Sequence, residues 1–235
     1  MDSVSKTKYL SDPCRHSSVP YWKAKSVTVP EGMQILHHDD YDRSNYMEYI
    51  DEPYFRLFHD LKELSASVLP QGYSIGTAAV HDFATHINSC YDSIGITEEE
   101  LRNCMDRPVY DETLWLAVKD DETGGIVATG IAELDREIGE GILEWIQVSE
   151  GYRRYGLGSY IVSELLRRMK GRAGFATVSG QCNNPANPEG MYRKCGFTGS
   201  DVWHILSRKD MQIMTKNERN KGYREVGICQ HRHRE

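Results

Sequence analysis

An apolar run, Ile142-Leu143-Glu144-Trp145-Ile146-Gln147-Val148, passes through a glycine-bearing loop into a segment where Leu157, Tyr160, Ile161, Leu165 and Met169 recur at helical spacing. A strand that turns straight into a helix belongs to a chain that mixes the two. Two glycines, Gly156 and Gly158, stand at the helix entrance. Without a Cβ the main chain is bare there, and a ligand can approach it closely. The first turn of a helix also has unpaired N–H donors and the positive end of the helix dipole. Together these features predict a cradle for a phosphate or pyrophosphate. No Lys-Ser or Lys-Thr follows the glycines, which excludes a Walker loop, and the spacing is not the GxGxxG of dinucleotide folds.

The rest of the pattern agrees with a mixed fold. Strands are expected at Tyr73–Ala78, Leu114–Val118, Ile126–Leu134, Ile142–Val148, Ala176–Gln181 and Val202–Leu206, and helices at Val80–Cys90, Thr97–Met105 and Pro188–Lys194. Thr97-Glu98-Glu99-Glu100 reads as a capping box. Tyr54, Leu57, Phe58 and Leu61 fall at helical intervals after Pro53, which predicts a further helix, entered from an extended stretch at Met33–Leu36. Pro70-Gln71-Gly72 is a turn. The expected organisation is therefore an N-terminal extension over 1–71 packing on the core, a main domain over 72–208, and a helix or tail over 209–235. The expected class is α/β (α+β), a mixed sheet of six to seven strands flanked by helices.

The 235 residues carry 28 basic and 35 acidic side chains, a formal charge of -7, which argues against general nucleic-acid binding. Against that background, residues 153–172 hold Arg153, Arg154, Arg167, Arg168, Lys170 and Arg172 with Glu164 alone opposing them, a local field that favours a polyanion. No apolar run approaches the ~18 residues of a membrane helix. The opening MDSVSKTKYL lacks the apolar stretch of a signal peptide, and six cysteines without a CxxC pair suggest a reducing, cytoplasmic setting.

Arg153-x-x-Gly156-x-Gly158 resembles the R/Q-x-x-G-x-G/A signature of the GNAT superfamily of N-acetyltransferases. Downstream, an Asn-Pro segment followed by Met191-Tyr192-Arg193-Lys194-Cys195-Gly196-Phe197 is similar to that superfamily's second signature, and the order of elements over 72–208 agrees. The resemblance implies a centrally splayed sheet with acetyl-coenzyme A as cosubstrate, lying between Ile142–Val148 and Ala176–Gln181. It places pantetheine against the backbone of Ile146, Gln147 and Val148, and pyrophosphate on Arg153, Arg154, Tyr155, Gly156, Leu157, Gly158 and Ser159. Asn184 or Asn187 would hold the pantetheine arm, and Tyr192 would protonate or hydrogen-bond the departing thiolate. The partner it implies is a small-molecule or peptide amine, and a homodimer would be in keeping with the family.

An attacking amine must lose a proton, and a carboxylate near the cleft is the natural base. Glu144 stands within an apolar strand, where strict alternation puts it on the face of Ile142 and Ile146 and burial should raise its pKa. Glu133 on the preceding strand is the second candidate. His37-His38-Asp39-Asp40 lacks metal-site spacing and is read as loop, with no metal expected. His81 and His86 flank a helix and read as surface or core, with the acceptor side as the alternative; Cys182 and Cys195 read as small apolar residues, and Trp115, Trp145 and Trp203 as core. Two other functions fit the same residues: a coenzyme A-binding module without turnover, and a transferase of longer acyl groups.

Overall fold

The computed structural model describes residues 4–91 and 95–209. Three short helices open the chain: α1 (Lys6–Ser11), α2 (Pro13–His16) and α3 (Tyr21–Ala24). Ser5 caps the first by accepting from the Lys8 N–H, and Asp12 caps the second, with Pro13 at its first turn. Strands β1 (Met33–His37), β2 (Tyr49–His59) and β3 (Tyr73–Gly76) follow, then helices α4 (Val80–Cys90) and α5 (Glu98–Met105). The capping box is present: Thr97 accepts from the Glu100 N–H, and the Glu100 carboxylate accepts from the Thr97 N–H at 2.7 Å. Strands β4 (Trp115–Asp120), β5 (Ile126–Asp135) and β6 (Glu140–Val148) lead into α6 (Leu157–Met169), β7 (Phe175–Gln181), α7 (Pro188–Lys194) and β8 (Thr198–Arg208).

The strands form one sheet in the order β1-β8-β2-β7-β6-β5-β4-β3. Every neighbouring pair is antiparallel except β6 and β7. That parallel pair holds only from Glu140↔Phe175 to Leu143↔Val178. Beyond it β6 stays with β5 as far as Val148↔Ala128, and β7 stays with β2 as far as Gln181↔Tyr54. The two strands part, and the β6–β7 ladder ends at Leu143.

Helix α6 covers one face. Leu157, Ile161, Leu165 and Met169 pack with Leu116, Ala132, Leu143, Val178 and Phe55 in the largest apolar cluster. Two strand glycines let the helix approach: a Cβ on Gly130 would overlap Ile161 Cγ2, and one on Gly141 would overlap Met169 Sδ. Both neighbours are fully buried and cannot give way. Gly130→Ala is therefore expected to cost about 1–3 kcal/mol by overpacking, seen as a thermal midpoint lowered by several degrees. On the opposite face α4 and α5 pack over β4, β5 and β6, with Phe83, Ile87 and Leu101 against Trp115, Ile131 and Trp145. Residues of the N-terminal segment cover the remainder, with Val19 on Ile35, Tyr54, Trp203 and Ile205, and Tyr9 and Tyr21 on Phe175.

Three expectations change. The sheet has eight strands rather than six or seven. Residues 54–61 are not helical; Tyr54–His59 lies in β2, between β7 and β8. Residues 1–71 therefore do not pack on a finished domain at 72–208, because they contribute an edge strand and an interior strand to its sheet. The expected helix or tail lies, from residue 210 onward, outside the described residues.

Candidate active site

Gly156 is the N-cap of α6, in a left-handed conformation (φ 86°), and no side chain caps this helix end. Tyr160 N–H is the first to bond back, to Gly156 O at 2.9 Å, so the donors of residues 157–159 are left to a ligand. Arg154 also has positive φ, 68°, which curls the preceding loop. These residues border a cleft of about 1010 Å³ lined by 146–148, 150–159, 185–188, 190, 191 and 194. The cleft thus joins the helix mouth to the parted end of β6. A Cβ on Gly158 would come within 2.8 Å of Met191 Sδ and 3.4 Å of Val148 Cγ2, so a bare residue is needed where helix, strand and α7 converge. Nothing lies within 4 Å of a Cβ built on Gly156, and that side faces open space.

The structure brings together Ile146, Gln147, Val148, Arg153, Arg154, Tyr155, Gly156, Leu157, Gly158, Ser159 and Asn187. Lys194 joins them from α7 and was missed in the sequence because its neighbours matched a helix motif rather than a charge pattern. The local field is smaller than its sequence count. Arg167 and Arg168 pair with Glu164, Arg172 pairs with Asp111, and Lys170 Nζ donates to Lys62 O. The two asparagines separate. Asn187 borders the cleft and caps α7 through its side chain, whereas Asn184 is buried and its Oδ1 accepts from the Ala186 N–H at 2.9 Å. Tyr192 packs its ring against Phe55 and Phe197 inside the main core. Burial pushes its phenol pKa up, so it stays protonated.

Glu144 is displaced from its expected geometry by a β-bulge. Ile131 opposes Trp145 and Ala132 opposes Leu143, which leaves Glu144 as the extra residue. Glu144 and Trp145 consequently line one cavity together, while Ile146 turns to the α6 face, where its Cδ1 lies against Gly130. Glu144 therefore does not share a face with Ile146. Lys23 Nζ donates to Glu144 Oε1 at 2.6 Å. On the same face Glu133 accepts from Arg107 Nη1 and from Trp22 Nε1, each at 2.9 Å. Its pKa is raised, first by burial and then by the Glu144 charge, against the lowering effect of Lys23 and Arg107.

His86, read from the sequence as surface or core, is a core residue of this region. It is buried on α4, shares hydrogen bonds with Thr129 Oγ1 (2.9 Å) and Ser149 Oγ (3.0 Å), and is held neutral, its pKa lowered to about 4 by burial. Gln147 Nε2 donates to the same Thr129 hydroxyl. The imidazole thus ties α4 to the ends of β5 and β6 beside the splay. His37, His38 and Asp39 bring ligand atoms within 4.8 Å of one another. Arg15 Nη1, however, bonds Asp39 and contacts His37 Nδ1 at 3.2 Å, placing a guanidinium where a cation would sit. Among the described residues Cys14, Cys90, Cys104, Cys182 and Cys195 are free thiols. No helix there is long and apolar enough to cross a membrane.

The site is thus a mixed sheet that parts beside an uncapped, glycine-bounded helix mouth. Residues 110–199 match the family model described as an acetyltransferase (GNAT) domain. No curated protein gives a significant match. Among solved structures, a GCN5-related N-acetyltransferase from Sphaerobacter thermophilus superposes with a TM-score of 0.60 at 16% identity, over 75% of this chain and 60% of that one. A GNAT-family acetyltransferase from Colwellia psychrerythraea gives 0.55 at 15% identity, over 75% and 65%. A GNAT-family protein from Novosphingobium aromaticivorans gives 0.51 at 14% identity, over 78% and 70%. The chain spans less than two thirds of the length of the Sphaerobacter and Colwellia proteins.

Proposed function

We propose that the protein transfers an acetyl group from acetyl-coenzyme A to a primary amine by direct attack within a ternary complex. The observation that carries this reading is the continuity of one cleft from the uncapped mouth of α6 to the parted end of β6. The donors of 157–159, with Arg153, Arg154 and Lys194 around them, suit a pyrophosphate. The main chain at 146–148, beyond the end of the β6–β7 ladder, suits the amides of pantetheine. Coenzyme A supplies the activated thioester; the chain supplies position and proton transfer. A main-chain N–H near Val148 would polarise the carbonyl. As the amine forms its N–C bond and the C–S bond breaks, the ammonium proton goes to Glu144 or Glu133, and the departing thiolate takes the Tyr192 phenol proton.

Burial keeps the Tyr192 phenol protonated, able to hydrogen-bond or donate to the departing sulfur, although the same burial weakens it as an acid. Tyr192→Phe is expected to lower kcat about 100-fold, the lower end of general acid catalysis, with the acetyl-coenzyme A dissociation constant unchanged. Thiol release measured across a panel of amines tests the whole reading. Tight acetyl-coenzyme A binding with no release on any amine would identify a binding module instead.

A further inference from the structure

A second cavity, of about 370 Å³, lies on the sheet face opposite α6. Its floor is Ile131 and Glu133 of β5 with Glu144 and Trp145 of β6. Its walls come from elements far apart in the sequence, Trp22 and Lys23 of α3 on one side and Leu101 of α5 with Arg107 just beyond on the other. The bulge makes this cavity a neighbour of the cofactor cleft: Trp145 faces one and Ile146 borders the other, on a strand that has parted from β7. A group carried along the cleft and through the splay would emerge here.

Building on the acyl-transfer reading above, we infer that this cavity holds the acceptor, and that the acceptor is a small amine bearing a carboxylate on an apolar body, the chemistry of an apolar α-amino acid. The volume is at the lower end for ligand sites and admits one small molecule. Trp115, Trp145, Ile131 and Leu101 offer apolar surface to its body. Lys23 pairs with Glu144 and Arg107 with Glu133, and Glu100 is the one further charge in the lining. A zwitterion leaves both pairs matched, whereas a polyamine would bring in more positive charge than Glu100 alone offsets.

Arg107 selects the carboxylate. Only its Nη1 is engaged, by Glu133; Nη2 and Nε have no hydrogen-bond partner among the described residues. The guanidinium is held 5.3 Å above the Trp22 ring, which fixes its plane, and its side chain is 36% exposed. A planar fork with free donors is the natural receptor for a carboxylate. Glu144, at the bulge beside the splay, then faces the amine.

The test compares initial rates of thiol release from acetyl-coenzyme A with L-phenylalanine, L-leucine, their decarboxylated counterparts phenethylamine and isoamylamine, and spermidine. The amino acids are expected to exceed their decarboxylated counterparts in kcat/KM by about 100-fold or more, the discrimination of a site built to bond the missing group. Arg107→Lys keeps the charge beside Glu133 and loses the fork. It is expected to cut the preference for phenylalanine over phenethylamine about 10-fold, mainly through KM for phenylalanine, with an unchanged thermal midpoint. Faster turnover of the simple amines or spermidine, an unaltered preference in the variant, or acetyl-coenzyme A binding without turnover of any of the five would overturn the acceptor assignment. Calorimetry separates the two levels: no acetyl-coenzyme A binding at all removes the acyl-transfer reading, and this one with it.

Discussion

Gly156→Asp is expected to raise the dissociation constant for acetyl-coenzyme A about 100-fold while leaving the thermal midpoint nearly unchanged. Position 156 is left-handed, a region that aspartate and asparagine enter more readily than other side chains. A Cβ there meets nothing within 4 Å, so the new side chain does not disturb the packing. What changes is charge. A carboxylate would stand at the uncapped end of α6, where it would compete for the donors of 157–159 and face the pyrophosphate. Two like charges about 4 Å apart cost between ~1 kcal/mol in water and ~4 kcal/mol at an effective dielectric of 20, and a value near the middle corresponds to two decades in affinity. Gly156→Asn has the same shape and no charge, and should weaken binding less than about 5-fold. Calorimetric titration of both variants decides the matter. Equal losses would mean that backbone strain is responsible, and equal retention that the phosphates sit elsewhere. Raising the salt concentration should narrow the gap between the two.

The helix mouth was legible because everything it needs is local. Strand, loop, glycines and helical period lie within residues 142–169, and the strand, the helix and the glycines between them stand where the pattern puts them. The reading failed where a residue's setting is decided by distant chain. Tyr54, Leu57, Phe58 and Leu61 mimic a helix because β2 is covered on both faces and so shows no alternation of polar and apolar residues. Pro53 encouraged the error. Its carbonyl accepts from the Cys182 N–H at 2.9 Å, so its missing donor points the same way, just past Gln181 where β7 ends. The strand therefore loses no ladder bond to the proline.

The acid side of the site shows the same division. That Glu133 and Glu144 are strand carboxylates among apolar neighbours was plain from the pattern. Their shared face was not, because a single inserted residue reverses the direction of every side chain after it. Nor could the sequence place Trp22, Lys23 and Arg107 around them. These contacts exist because the N-terminal segment lies on the sheet next to α4 and α5, an arrangement fixed by long-range packing.

That segment is fastened by a buried charge pair, and breaking the pair is expected to have the largest effect on stability. Arg56 of β2 and Glu140 of β6 have side chains 2% and 0% exposed. Glu140 Oε1 accepts from Tyr9 Oη at 2.6 Å, Thr177 Oγ1 at 2.7 Å and Arg56 Nη2 at 3.4 Å, and Oε2 accepts from the Tyr21 N–H at 3.2 Å. One carboxylate thus joins both ends of the N-terminal segment to the strands at the closed end of the splay. Glu140→Ala would leave the Arg56 guanidinium buried without its counter-charge, at a cost of about 3–5 kcal/mol, or a midpoint lowered by about 10 °C in a chain of this size. Replacing both charges, Arg56→Met with Glu140→Leu, removes the stranded ion and should cost less than Glu140→Ala alone, since apolar side chains of similar volume often substitute for a buried pair. Tyr9→Phe deletes one hydrogen bond and should cost about 1 kcal/mol. Denaturant titration of the three variants measures these differences. If Glu140→Ala cost under ~1 kcal/mol, or if the double replacement were more damaging than Glu140→Ala, the pair would not be what holds the segment against the sheet. The segment also carries Trp22 and Lys23, so the Tyr9→Phe variant should bind acetyl-coenzyme A normally and show its weakness first in the KM for the amine.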